Sequence, residues 1–126
     1  MPGVQKKILV AEDSPTMRYL IASTIAALGD FTVIEAGNGF EALRILPHEK
    51  VDLVITDINM PDINGLELVS FIRQSPNYRT TPLFIISTEG SARDREKGMS
   101  LGANAYLVKP FAPEELQSLI RQYLGE

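Results

Sequence analysis

The chain has no cysteine, no tryptophan and a single histidine. Without thiols there is no disulfide and no thiolate metal site, and the usage fits a reducing compartment. His48 has no second His or Cys near it in sequence, so it is no half of a zinc ligand pair; it follows Pro47 in a polar stretch and is read as surface. No run approaches the ~20 apolar residues of a membrane span, and Met1 to Lys7 lacks an apolar signal core. Basic residues are outnumbered 12 to 16 by acidic ones, for a net charge of −4, so no nucleic-acid footprint is expected. Linkers, repeats and low-complexity tracts are missing too. What remains is ordinary: 126 residues, 44% hydrophobic and 22% charged, suit one domain over residues 1–126 of a soluble, cytoplasmic protein.

The stretch that organises the chain is Val51-Asp52-Leu53-Val54-Ile55-Thr56-Asp57-Ile58-Asn59-Met60-Pro61. Its short, apolar, β-branched start reads as a strand buried on both faces. Asp57 then stands at the carboxyl end. An unpaired charge there is badly placed for stability but well placed for chemistry, because sites in open α/β sheets form beyond the strand ends. Alone, Asp57 reads equally well as a turn residue before Pro61.

Four further strands are expected, at Lys6–Ala11, Phe31–Ala36, Pro82–Ile86 and Ala105–Val108. Ser14-Pro15 starts a helix with Met17, Leu20, Ile21, Thr24, Ile25 and Leu28 on one face, which Gly29 ends. Asn38-Gly39 opens a short helix that Pro47 terminates. Asn64-Gly65 precedes a third, with Leu66, Leu68, Val69 and Ile72 on its apolar side. Ser91 to Asp94 resembles a capping box for a weakly amphipathic fourth helix ending near Gly102. Pro113-Glu114-Glu115 starts the last, with a stripe of Leu116, Leu119, Ile120, Tyr123 and Leu124. Met17, Met60 and Met99 are read as packing residues. Five alternating strand–helix units imply a doubly wound α/β fold, a parallel sheet with helices on both faces.

In a parallel sheet all carboxyl ends share one edge. Glu12-Asp13, Asp57, Ser87 and Lys109 each end a different strand, so they converge. At ~5 Å and an effective dielectric of ~20, each pair of like charges costs roughly 3 kcal/mol. Either the carboxyl pKa values rise or a cation intervenes. With oxygen ligands alone that cation is Mg²⁺, with Mn²⁺ and Ca²⁺ as alternatives. A metal, an ammonium, a hydroxyl and an exposed carboxylate together suit phosphoryl transfer onto the carboxylate.

At this point the residues resemble the response-regulator receiver family, and within it the single-domain chemotaxis regulators. The resemblance rests on Val10-Ala11-Glu12-Asp13-Ser14, Asp57 through Gly65, Ile86-Ser87, and Tyr106-Leu107-Val108-Lys109-Pro110-Phe111, in the family's order across the whole chain. It implies a flavodoxin-like sheet of order 2-1-3-4-5 with five helices. It implies that Asp57 is the phospho-acceptor and that Glu12, Asp13, Asp57 and the backbone carbonyl of Asn59 hold Mg²⁺. Ser87 would bond a phosphoryl oxygen, Lys109 would pair with the phosphoryl group, and Ser87 with Tyr106 would form the switch. Asn59 and Glu89 flank the path of the hydrolytic water and would modulate dephosphorylation. The Lys109–Pro110 bond would be cis. Two departures stand out: Glu12 occupies a position where many members have Asp, and Ser87 one where Thr is more frequent.

The expected role is therefore that of a phosphorylation-controlled binding module, not an enzyme beyond its own phosphorylation and autodephosphorylation. Its partners would be a histidine kinase, a protein target on the face of the fourth helix, fifth strand and fifth helix, and a phosphatase; it would act as a monomer, off nucleic acid and off the membrane. Chemotaxis-type output is expected, with a phosphorelay intermediate or phosphate sink as the alternative. In the resting form Tyr106 would be partly exposed, turning inward on phosphorylation. A haloacid-dehalogenase-like phosphatase fits less well, since Asn59 stands where its general acid would be. A flavodoxin-like FMN binder would need a Gly/Ser/Thr-rich phosphate loop where Glu12-Asp13 stand.

Overall fold

The computed structural model of the chain describes residues 5–88 and 92–125. Five parallel strands form one sheet in the order β2-β1-β3-β4-β5: β1 Lys6–Ala11, β2 Phe31–Ala36, β3 Leu53–Thr56, β4 Leu83–Ser87 and β5 Ala105–Val108. Five α-helices alternate with them among the described residues: α1 Pro15–Ala26, α2 Gly39–Ile45, α3 Gly65–Gln74, α4 Ala92–Leu101 and α5 Pro113–Leu124. This is the doubly wound fold expected from the alternation.

Side chains alternate across each strand, so one strand feeds two cores. Leu9 of β1, Val54 of β3 and Ile85 of β4 pack with Ala42 of α2 and with Leu68, Val69 and Ile72 of α3. On the other face Ile8, Val10, Leu53, Ile55, Phe84 and Ile86 meet Ile21 and Ile25 of α1 and Leu116, Ile120 and Leu124 of α5. The helix starts follow their capping residues. Ser14 Oγ accepts the Met17 N–H at 3.3 Å, with Pro15 in the first turn. Asn64 and Glu67 make a reciprocal capping box, each side chain accepting the other's N–H, at 2.9 and 3.0 Å. Gly29, at φ +88°, turns the chain out of α1.

Several local expectations shift. Pro47 does not terminate α2: the α-helix ends at Ile45, and Pro47 sits inside a 3₁₀ turn, Leu46–His48, where a missing N–H at the start is tolerated. The third strand begins at Leu53: the Asp52 N–H still donates to the Lys7 carbonyl, at 2.8 Å, but the Lys7 N–H goes to the Asp52 side-chain carboxylate, also at 2.8 Å. The fourth begins at Leu83, since Pro82 has no N–H for the ladder. Leu20 is 47% exposed rather than inward: α1 packs through Ile21, Thr24 and Ile25 on one side only. Met99 is 39% exposed, because the buried residue of α4 is its neighbour Gly98. Met17 and Met60 do pack inward, and His48 is exposed. Ser91, expected to cap α4, lies outside the described residues.

Candidate functional site

The sheet itself aims the site. The Glu12 N–H continues the β1 ladder onto the Ala36 carbonyl at 3.0 Å, and the Asp57 N–H continues β3 onto the Ala11 carbonyl, also at 3.0 Å. The backbone of each acid is therefore fixed before its side chain is considered. Lys109, one residue past β5, donates its N–H to the Ser87 carbonyl at 2.8 Å, so its position is set by β4. The Lys109–Pro110 bond is cis, as expected.

Three of the expected residues meet directly. Lys109 Nζ donates to Glu12 Oε1 at 2.8 Å and to Asp57 Oδ2 at 3.2 Å. All three side chains are nearly out of solvent, at 9% exposed or less. The remaining oxygens are also occupied: the Ser14 N–H donates to Glu12 Oε2 at 3.1 Å, and the Ile58 N–H donates to Asp57 Oδ1 at 2.7 Å. Burying two carboxylates is unfavourable unless they are paired and hydrogen-bonded, and here both are.

Asp13 is exposed and completes the cluster: one oxygen from each of Glu12, Asp13 and Asp57 lies within 4.8 Å of the others. Ligands on opposite sides of an octahedral Mg²⁺ sit ~4.2 Å apart, twice its ~2.1 Å bond length. The spread of the three oxygens, the all-oxygen donor set and the open side at Asp13 fit a partly hydrated hard cation.

Burial pushes the Glu12 carboxyl above its usual pKa; the hydrogen bonds from Lys109 and Ser14 pull it back only in part, and the charge of Asp57 adds to the rise. For Lys109, burial acts to lower the pKa. The hydrogen bond to Glu12 and the negative charges of Asp57 and Glu12 outweigh it, so the ammonium is held charged above its usual value.

The other expected residues divide. Ser87 is fully buried at the end of β4, beside β3. Asn59 is exposed two residues past Asp57. Glu89 lies outside the described residues. Tyr106 departs from expectation: it is 6% exposed and packs in the core with Ile85, so its ring already lies inward. The sequence reading also missed what Gly65 does. A Cβ there would stand 1.9 Å from the Asp57 carbonyl oxygen and 2.8 Å from Ile58 Cα, so only glycine lets α3 start against the loop that carries Asp57. The Gly65 N–H in turn donates to the Ile58 carbonyl at 2.8 Å. The one signal in the sequence was the Asn64-Gly65 pair.

Comparison with known proteins gives a consistent picture. A family model described as the response regulator receiver domain matches residues 8–121. A Campylobacter jejuni chemotaxis protein CheY homolog is 42% identical over 120 residues, covering 94% of this chain and 92% of the relative. The crystallised chemotaxis protein CheY4 of Vibrio cholerae superposes with a TM-score of 0.89 at 33% identity, covering 95% of this chain and 99% of that one. The receiver domain of a Pseudomonas aeruginosa sensor histidine kinase, solved with a magnesium ion coordinated in its active-site cleft, has a TM-score of 0.88 at 28% identity, covering 98% of this chain and 100% of its own.

Proposed function

Because the chain belongs to the response regulator receiver domain family, we propose that it is a phosphorylation-controlled binding module in which Asp57 accepts a phosphoryl group from a histidine kinase. The observation that carries this reading is the ammonium of Lys109 set between Glu12 and Asp57, beside a three-carboxylate cluster open at Asp13. An oxygen of Asp57 attacks phosphorus; the new O–P bond forms as the N–P bond of the phosphohistidine breaks, and the histidine nitrogen leaves with the electron pair. Lys109 stays charged throughout and faces the phosphoryl oxygens, and the Ser87 hydroxyl donates to one of them. Glu12, Asp13, Asp57 and the Asn59 carbonyl would hold Mg²⁺, which when bound neutralises charge on the phosphoryl oxygens. The chain speeds only its own phosphorylation and the hydrolysis that ends it, a hydrolysis that Asn59 and Glu89 would modulate.

The whole chain works as one receiver domain in the cytoplasm, and its output is a protein–protein contact. Met99 on α4 and Val108 on β5 expose apolar surface, at 39% and 41%, which supports α4, β5 and α5 as the partner face. The chemotaxis relatives favour a motor-type target, with a phosphatase as a second partner. No helix among the described residues is long and apolar enough to cross a membrane. The inward ring of Tyr106 favours one second reading, a phosphorelay intermediate or phosphate sink that presents the same face in both states.

Incubation with acetyl phosphate and Mg²⁺, followed by intact mass, tests the main reading. The parent should gain one phosphoryl group and Asp57→Asn none; labelling of the variant at the parental rate would remove Asp57 from the mechanism. Beryllofluoride with Mg²⁺ separates the two outputs. NMR shifts spreading to Tyr106 and α5 support the switch, and shifts confined to the surroundings of Asp57 support the relay or sink.

A further inference from the structure

Arg18, on the first turns of α1, belongs to none of the roles assigned above, yet it reaches the site. Its Nη1 donates to the main-chain carbonyl of Glu12 at 2.7 Å, and its Nε donates to Glu35 Oε1 of β2 at 3.1 Å. We propose that Arg18 is a positioning residue that fixes the loop carrying the metal-binding acids, and that Glu35 holds it in place.

The argument rests on what else restrains that loop. Glu12 has its N–H on the Ala36 carbonyl and its carboxylate oxygens on Lys109 and Ser14. Its carbonyl alone is left, and that carbonyl belongs to the peptide plane leading into Asp13. Asp13 is exposed, and the tilt of this plane sets the direction in which its side chain leaves the backbone. The Arg18 guanidinium supplies the missing restraint. Its planar fork presents two donors in set directions, one to the loop and one to β2, which a lysine ammonium does not reproduce. Residues that orient metal ligands from outside their shell commonly change metal affinity about 10- to 100-fold when removed.

A different role would follow from charge alone. A cation beside three carboxylates opposes a metal cation, so its removal would tighten binding. Positioning predicts the opposite sign, which makes the two distinguishable.

The inference rests on the proposed Mg²⁺ site, so the test reads the metal directly. Mg²⁺ is titrated into the parent, Arg18→Gln, Arg18→Lys and Glu35→Gln, following the amide shifts of Glu12 and Asp13, with Tm measured separately in EDTA. Both Arg18 variants should bind Mg²⁺ about 10-fold more weakly, Lys failing to rescue, and Glu35→Gln should show a smaller loss. A purely structural role would lower Tm and leave the dissociation constant unchanged, which would overturn the inference. So would tighter binding by Arg18→Gln with recovery in Arg18→Lys, the signature of charge. Should the Arg18 variants not fold, an unchanged dissociation constant in Glu35→Gln would overturn it. A parent with no saturable shift would remove the metal reading itself, and this inference with it.

Discussion

Replacing Gly65 by alanine sets two effects of opposite sign against each other. Gly65 is the first residue of α3, and helix propensity alone favours Ala over Gly by up to ~1 kcal/mol. The added Cβ would lie 1.9 Å from the Asp57 carbonyl oxygen, where ordinary contact begins at 3.4 Å. The start of α3 and the Asp57 loop must therefore separate by roughly 1.5 Å, and both sides are backbone that no rotamer change relieves. Overpacking of this kind costs about 1–3 kcal/mol, which outweighs the propensity gain and lowers Tm by ~4 °C per kcal/mol. The displaced group carries the proposed acceptor, and a ~1 Å misplacement slows a positioned reaction ~10²-fold. Urea unfolding followed by circular dichroism, with acetyl-phosphate labelling by mass, measures both. Gly98→Ala in α4 is the control. Its Cβ would crowd the terminal Cδ1 of Ile85, at 2.6 Å, which rotates away, and would meet Leu66 Cδ2 and Tyr106 Cδ2 at an ordinary 3.7 Å, so stability should hold or rise by up to ~1 kcal/mol and labelling should be unchanged. A Gly65→Ala protein as stable and as quickly labelled as its parent would refute the steric reasoning.

Glu12→Gln should alter the pH dependence of stability in EDTA. The folded-state pKa of Glu12 is raised by burial, so its contribution is present below the unfolded value of 4.5 and is lost as pH rises through the folded pKa. Gln lacks that loss, so the urea midpoint of the variant should gain on the parent as pH rises from 4.5; parallel curves would contradict the raised pKa. Tyr78→Phe should cost about 1–3 kcal/mol, because the buried hydroxyl lies 2.8 Å from the Leu46 carbonyl, also bonds the Glu49 carbonyl, and accepts the Val51 N–H at 3.4 Å. Those residues lie at the amino-terminal edge of the sheet, away from Asp57, so labelling should keep its parental rate; a slowed reaction would mean the two edges are coupled.

Much of this protein was legible in one dimension because the relevant signals are local. Strand and helix periods span a few residues, caps such as Ser14-Pro15 act within one turn, and a parallel sheet carries every strand end to a common edge. Glu12, Asp13, Asp57, Ser87 and Lys109 could be gathered on that edge from chain order alone. Strand boundaries were less legible: the Asp52 side chain takes the Lys7 N–H, 45 residues away, while its own N–H stays on the Lys7 carbonyl, and no local pattern records it. The same holds for which hydrophobic side chains face outward. Leu20 and Met99 have the helical spacing of core residues, but α1 is covered on one side only and α4 turns Gly98 to the sheet. The finest placements belong wholly to tertiary structure. That Lys109 reaches Glu12 across 97 residues as well as Asp57 across 52, and that Arg18 holds the carbonyl between Glu12 and Asp13, depends on sheet twist, helix offset and the clearance at Gly65. Those are properties of the packed solid, in which distances of a few tenths of an ångström are set by all neighbours together and by no segment of the chain alone.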